Sequence, residues 1–132
     1  MNQESSIEMQ KQESRIKNRE KIRNFTDLRA WQKGHELVLY VYQLTRKFPK
    51  DELFALTSQL RRAVISITSN IAEGFSRHSY KEKVNFYHIS LGSTTEVENQ
   101  PIISKDIGYI SETEFQKGRV FVSFFLFCCP NF

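Results

Sequence analysis

The chain has 132 residues, 39% of them hydrophobic and 26% charged, with 5 Gly and 3 Pro. That length holds one compact domain and excludes two lobes around a cofactor cleft, while the composition excludes a collagen-like or wholly disordered chain and suits a mostly helical one. The formal charge of +4 permits an anionic partner such as nucleic acid without demanding one.

Residues 1–24 form a basic arm carrying Lys11, Arg15, Lys17, Arg19, Lys21 and Arg23, with only Ile7, Met9, Ile16 and Ile22 to bury. So little apolar surface cannot offset the entropy of ordering, and a disordered or loosely helical arm is expected. It lacks the apolar core of a signal peptide. From Leu28, the three- and four-residue steps of Leu28, Trp31, His35, Val38, Tyr42 and Thr45 predict a first helix with these residues on its core side, ending at Phe48 before Pro49. His35 then reads as a hydrogen-bonded core imidazole. Arg29, Lys33, Glu36, Tyr40, Gln43 and Lys47 take the solvent side.

A second run, with Leu53, Leu56, Leu60, Ala63, Val64, Ile67 and Ile71 inside, predicts a helix closed by Gly74 in the left-handed conformation. Beside its apolar stripe lie Gln59, Arg62, Ser66, Asn70 and Glu73. Ser90, Gly92, Ser93 and Glu96 of the next helix can face them. A buried polar network is expected, with Arg62 paired to a carboxylate and Gly92 at a close approach. A further strip holds Phe54, Arg61, Ile65 and Ala72, from which Phe54 and Ile65 are expected to make a subunit contact.

Ser79-Tyr80-Lys81-Glu82 has capping-box spacing and starts a third helix running through Val84, Tyr87, Leu91, Thr94 and Val97 toward Ile107. Pro101 lies within it, so a kink or break near residue 100 is expected. Ser111-Glu112-Thr113-Glu114 announces a fourth helix. After Gln116, however, residues 117–132 are rich in β-branched and aromatic side chains with no charged face. The fourth helix is therefore expected to be truncated or replaced by an atypical apolar tail, leaving residues 25–116 as the helical domain.

No phosphate loop, nucleophile elbow or helically spaced pair of His ligands occurs, so no catalytic residue is expected. Cys128 and Cys129 are adjacent and grouped with no further ligands, which argues against a metal site, and no cofactor is expected. A ligand-binding bundle would want inward Glu-x-x-His pairs, which are missing, so no small-molecule substrate is expected. The apolar stretch Val120–Cys129 falls well short of the ~20 residues that cross a bilayer. A cytoplasmic protein without membrane contact is expected. Arg61, Arg77, Lys81 and Lys83 read as flanking one end of the helical hairpin. With Arg29 and Lys33 they make the expected RNA-contacting surface, held by phosphate attraction and counterion release.

Phe25-Thr26-Asp27-Leu28-Arg29-Ala30-Trp31-Gln32-Lys33, Phe48-Pro49-Lys50, Leu56-Thr57-Ser58-Gln59-Leu60-Arg61-Arg62-Ala63, Asn70-Ile71-Ala72-Glu73-Gly74-Phe75 and Gly92-Ser93 through Glu96 resemble, in order, the four-helix-bundle proteins associated with bacterial 23S rRNA intervening sequences. The resemblance covers residues 25 to about 116. It implies an all-α, up-and-down four-helix bundle that assembles as a pentameric ring. It is similar also to the accessory protein of diversity-generating retroelements, for which nucleic-acid and protein binding are known. It brings no catalytic residues. The expected function is a non-enzymatic homo-oligomer binding RNA or ribonucleoprotein, the alternative a protein-interaction scaffold or accessory subunit of a nucleic-acid enzyme. Pro101 and residues 117–132 depart from the family pattern, and a frameshift or premature stop is the expected origin of the altered tail.

Overall fold

The computed structural model describes residues 3–129, with the side chains of 14–20 outside the description. Five α-helices occur and no strand among the described residues: α1 (Gln3–Glu20), α2 (Arg29–Thr45), α3 (Ser58–Ser76), α4 (Tyr80–Asp106) and α5 (Glu112–Phe127). The arm is thus helical over α1. Its Gln, Glu, Lys and Met residues are good helix formers, yet every described side chain from Gln3 to Glu13 is exposed. The side chains of Arg15, Lys17 and Arg19, and the tail residues 130–132, lie outside the described residues.

The other four helices share one core. Helix α2 packs on α3 and α5, and α4 packs on the same two. Gly34 lies against Ile67 and Thr68 while Thr45 meets Arg61, so contacts descend α3 as they ascend α2. The same opposed order links α3 to α4, through Ser66 with Ser93 and Gly74 with Tyr87, and α2 to α5, through Gly34 with Phe125 and Lys47 with Glu114. Leu37, Val64, Ile67, Ile71, Val97 and Phe125 are the large apolar side chains with no appreciable exposure.

Several expectations need correcting. The buried residues of α2 are Ala30, Gly34, Leu37, Tyr40, Val41, Leu44 and Thr45; of the predicted seam Thr45 is buried and Leu28, Trp31 and Val38 pack half-buried against the core, so the stripe centres one position round. Both stripes have helical spacing, but small Ala30 and Gly34 let the neighbouring helices come close on this side. Burying Tyr40 is tolerated because its hydroxyl donates to the Glu114 carbonyl at 2.7 Å. His35 is exposed. Gly74 is not left-handed. Among the described glycines only Gly108 has positive φ, at 89°, where it follows the end of α4. The close approach of α3 and α4 falls at Gly74, where a Cβ would meet the Tyr87 ring at 2.7 Å, and not at Gly92, which has nothing within 4 Å.

Helix α4 runs unbroken through Pro101 to Asp106. The core holds it on both sides of the proline, through buried Val97, Gln100 and Ser104, while Ile102, Ile103 and Ile107 face outward. The fourth core helix is present as α5 and continues through the apolar run to Phe127. Its capping box forms as the sequence announces: Ser111 Oγ accepts from the Glu114 amide at 3.1 Å and Glu114 accepts from the Ser111 amide at 2.9 Å. Burial of Phe115, Val122 and Phe125 then outweighs the β preference of the segment.

Candidate nucleic-acid interface

The opposed directions of α2, α3 and α4 bring three helix ends to one end of the molecule: the start of α2, the end of α3 and the start of α4. Before α2, the turn Phe25–Asp27 is tied by Asp27, whose carboxylate accepts from the Arg23 and Asn24 amides at 2.9 and 3.0 Å. Gln32 Nε2 donates back to the Thr26 carbonyl at 3.0 Å. This fixes Phe25 edge-on to Trp31, centroids 5.6 Å apart, and Trp31 stacks on His35 at 4.8 Å and 10°. The first turns of α2 also carry Arg29, exposed, and Lys33, paired with Glu36 at 3.3 Å and 5.8 Å from the Phe124 ring centre.

Between α3 and α4 the chain turns in three residues. Lys83 Nζ donates to the carbonyls of Phe75 and Gly74 at 2.9 and 3.3 Å, satisfying the end of α3 where the helix dipole favours a cation. Arg77 pairs with Glu73 at 3.2 Å and lies 4.8 Å from the Phe86 ring centre. Ser79 caps α4 by accepting from the Glu82 amide at 3.2 Å, and Lys81 is exposed. Arg29, Lys33, Arg77, Lys81 and Lys83 therefore share one end. Both ion pairs here are exposed, so their cations can exchange a carboxylate for a phosphate at little cost.

Arg61 does not join them. It sits sixteen residues before Arg77, roughly 24 Å away along the helix at 1.5 Å per residue. Its Nε donates to Thr45 Oγ1 at 2.9 Å and its guanidinium lies 4.6 Å from the Tyr42 ring centre, tying α3 to α2. Proximity to the hairpin turn cannot be read from the number of basic residues alone.

The polar stripe also contracts. Ser66 Oγ meets Ser93 Oγ at 2.8 Å, and Asn70 Nδ2 donates to the Ser66 carbonyl at 2.7 Å and hydroxyl at 3.0 Å. Gln59, Arg62, Glu73 and Glu96 are exposed, so Arg62 makes no buried pair and Glu73 takes Arg77 instead. Small hydroxyls fill the α3–α4 seam, with Ser90 donating to the Ile67 carbonyl at 2.9 Å. Water solvates the longer groups at less cost than burial. Phe54, on the irregular turn Leu53–Thr57, and Ile65 are exposed at 91% and 41%.

Sequence reasoning misses the Phe25–Trp31–His35 ladder, whose signal is three aromatic rings just ahead of and within the first helical turns. Among the described residues no three His, Cys, Asp or Glu side chains group to hold a metal, and no helix is long and apolar enough to cross a membrane. Cys129 is buried and donates to the Phe125 carbonyl at 3.1 Å; burial, with Cys128 adding to it, pushes its thiol up to about 12.

The model of the 23S rRNA-intervening sequence protein family matches residues 26–120. The chain belongs to this family. The matched span takes in α2, α3, α4 and the first half of α5, so the family pattern extends past residue 116 into the helix that strand propensity alone would replace. Residues 121–132, including the buried Phe125, lie beyond the match. A search of curated proteins found no match.

Proposed function

We propose that this member of the 23S rRNA-intervening sequence protein family is a non-enzymatic, self-associating up-and-down four-helix bundle that binds RNA at the end bearing Arg29, Lys33, Arg77, Lys81 and Lys83. The observation that carries the reading is the convergence of these five cations with the Phe25–Trp31–His35 ladder at one end. Cations attract the phosphate backbone through counterion release, and the half-buried Phe25 and Trp31 and exposed His35 rings offer stacking to unpaired bases. The opposed contact order of neighbouring helices supports the up-and-down topology. A cytoplasmic setting accords with free thiols at Cys128 and Cys129.

A titration of single-stranded and stem-loop RNA at several salt concentrations tests this. Replacing Arg29, Arg77, Lys81 and Lys83 with Gln should weaken binding at least ten-fold and flatten the salt slope. Arg61→Gln should loosen the fold while leaving the slope unchanged. Full affinity in the folded fourfold variant would reject this end as the RNA site. The second reading, a protein-interaction scaffold or accessory subunit of a nucleic-acid enzyme, is favoured by the exposure of Phe54 and Ile65. It would prevail if RNA bound equally weakly to both proteins.

A further inference from the structure

We propose that the cavity between α2, α4 and α5 is a binding site for a small, uncharged, hydrocarbon-like molecule of one or two rings, separate from the RNA surface. The cavity measures about 360 Å³. Its walls include Leu37, Val41, Leu60, Val97, Phe115 and Val122, all buried. On one side the space opens to solvent past exposed Ile102, Ser123 and Leu126, and on the other it is walled by core side chains.

Few donors remain on the inner wall, because its hydroxyls donate within the protein. Tyr40 Oη donates to the Glu114 carbonyl, Thr45 Oγ1 to the Val41 carbonyl at 2.8 Å and Ser104 Oγ to the Gln100 carbonyl at 2.9 Å. A buried water needs two to four polar partners. A charged ligand would lose its hydration and gain no counter-charge inside. The charged residues of the wall are exposed Glu98 on α4 and Arg119 on α5, of opposite sign, and Glu114, whose carboxylate pairs with Lys47.

A single turn of peptide helix, 5.4 Å long and about 10 Å across, fills roughly 400 Å³, more than the space encloses. Ile110, from the turn joining α4 to α5, and Phe115 are buried parts of the wall. An apolar cavity of about 150 Å³ holds one benzene ring, so this one is scaled to two. Pockets between the helices of bundles, mostly apolar and of this volume, are common ligand sites.

The test is a fluorescence titration of the full chain with 1-aminonaphthalene, a neutral two-ring probe, with naphthalene as competitor. Saturable binding of one probe per chain is expected. Val97→Phe with Val122→Phe should fill the space, weaken binding at least ten-fold and raise the melting temperature. Phe124→Ser with Phe127→Ser, on the outer face of α5, should leave it unchanged. Should the filled variant fail to fold, nuclear Overhauser contacts from naphthalene to the Val97 and Val122 methyls of the unaltered chain decide the matter, their presence supporting the site and their absence rejecting it. Absence of saturable binding, or loss of binding only in the Phe124 and Phe127 variant, would overturn the proposal. Neither result bears on the RNA titration.

Discussion

Two glycines on facing helices make opposite predictions. Gly74 sits where any Cβ would press on the Tyr87 ring at 2.7 Å and on Phe86 Cβ at 3.2 Å, and the second of these is anchored to its backbone. Gly74→Ala should therefore cost about 1–3 kcal/mol by overpacking the α3–α4 seam. Gly92 is exposed mid-helix with open space around it, so Gly92→Ala should gain about 0.5–1 kcal/mol by reducing the freedom of the unfolded chain. Urea denaturation of both variants checks the pair, and a gain at both sites would mean that the helices are not in close contact at Gly74. Cys129 makes a pH prediction. Its thiol is raised from 9.0 to about 12, so the folded state favours the protonated form. The associated stability is complete below pH 9 and is lost as pH climbs toward 12. Over that window the unaltered chain should lose stability faster than Cys129→Ala, by up to about 1.4 kcal/mol per pH unit. Parallel pH profiles would show that the thiol is not buried.

Among the helices, α4 strains local rules most, since Pro101 removes the donor that would serve the Val97 carbonyl. Pro101→Ala restores that bond and should stabilise the protein by about 1–3 kcal/mol, less what the ring contributes as part of the cavity wall. Thermal unfolding followed by circular dichroism would register the gain; a fall would mean that wall packing outweighs the helix bond. Residues following one local rule were legible: the Ser111–Glu114 cap, the Ser79 cap and the Leu60–Ile71 stripe stand where spacing placed them. What misled were elements decided by neighbours. Trp31, Val38 and Tyr42 recur as regularly as Leu37, Val41 and Leu44, and only the approach of α3 and α5 to Ala30 and Gly34 settles which stripe is buried. Similarly, the run after Gln116 carries strand propensity, and it is helical because a seat against α2 awaits Phe115, Val122 and Phe125. Of the interface, charge was legible and placement was not. Arg61 and Arg77 have the same chemistry, and only the helix length separates them.

At the scale of the molecule, besides outward Ile102, Ile103 and Ile107 of α4, exposed apolar side chains gather on two unlike faces. One carries Phe54 and Ile65, on and before α3; the other carries Val120, Phe124 and Phe127 along the outer side of α5. Helices α3 and α5 each pack on both α2 and α4, which places the two faces diagonally across the core. A closed ring needs a head-to-tail contact between unlike patches, whereas a two-fold dimer needs one patch that complements itself. Diagonal apolar faces suit the first arrangement. The expectation is that Phe54→Ser with Ile65→Lys reduces the mass seen by light scattering to that of a single chain, and that Phe124→Ser with Phe127→Ser does the same, each with helical circular dichroism retained. Mixing the two variants then decides the geometry, because each supplies the patch that the other lacks. A head-to-tail interface predicts recovery of one contact per pair, hence heterodimers and nothing larger. If instead the α5 variant keeps its assembled mass while the α3 variant is monomeric, the contact is self-complementary through Phe54 and Ile65, and ring closure by these two faces is refuted.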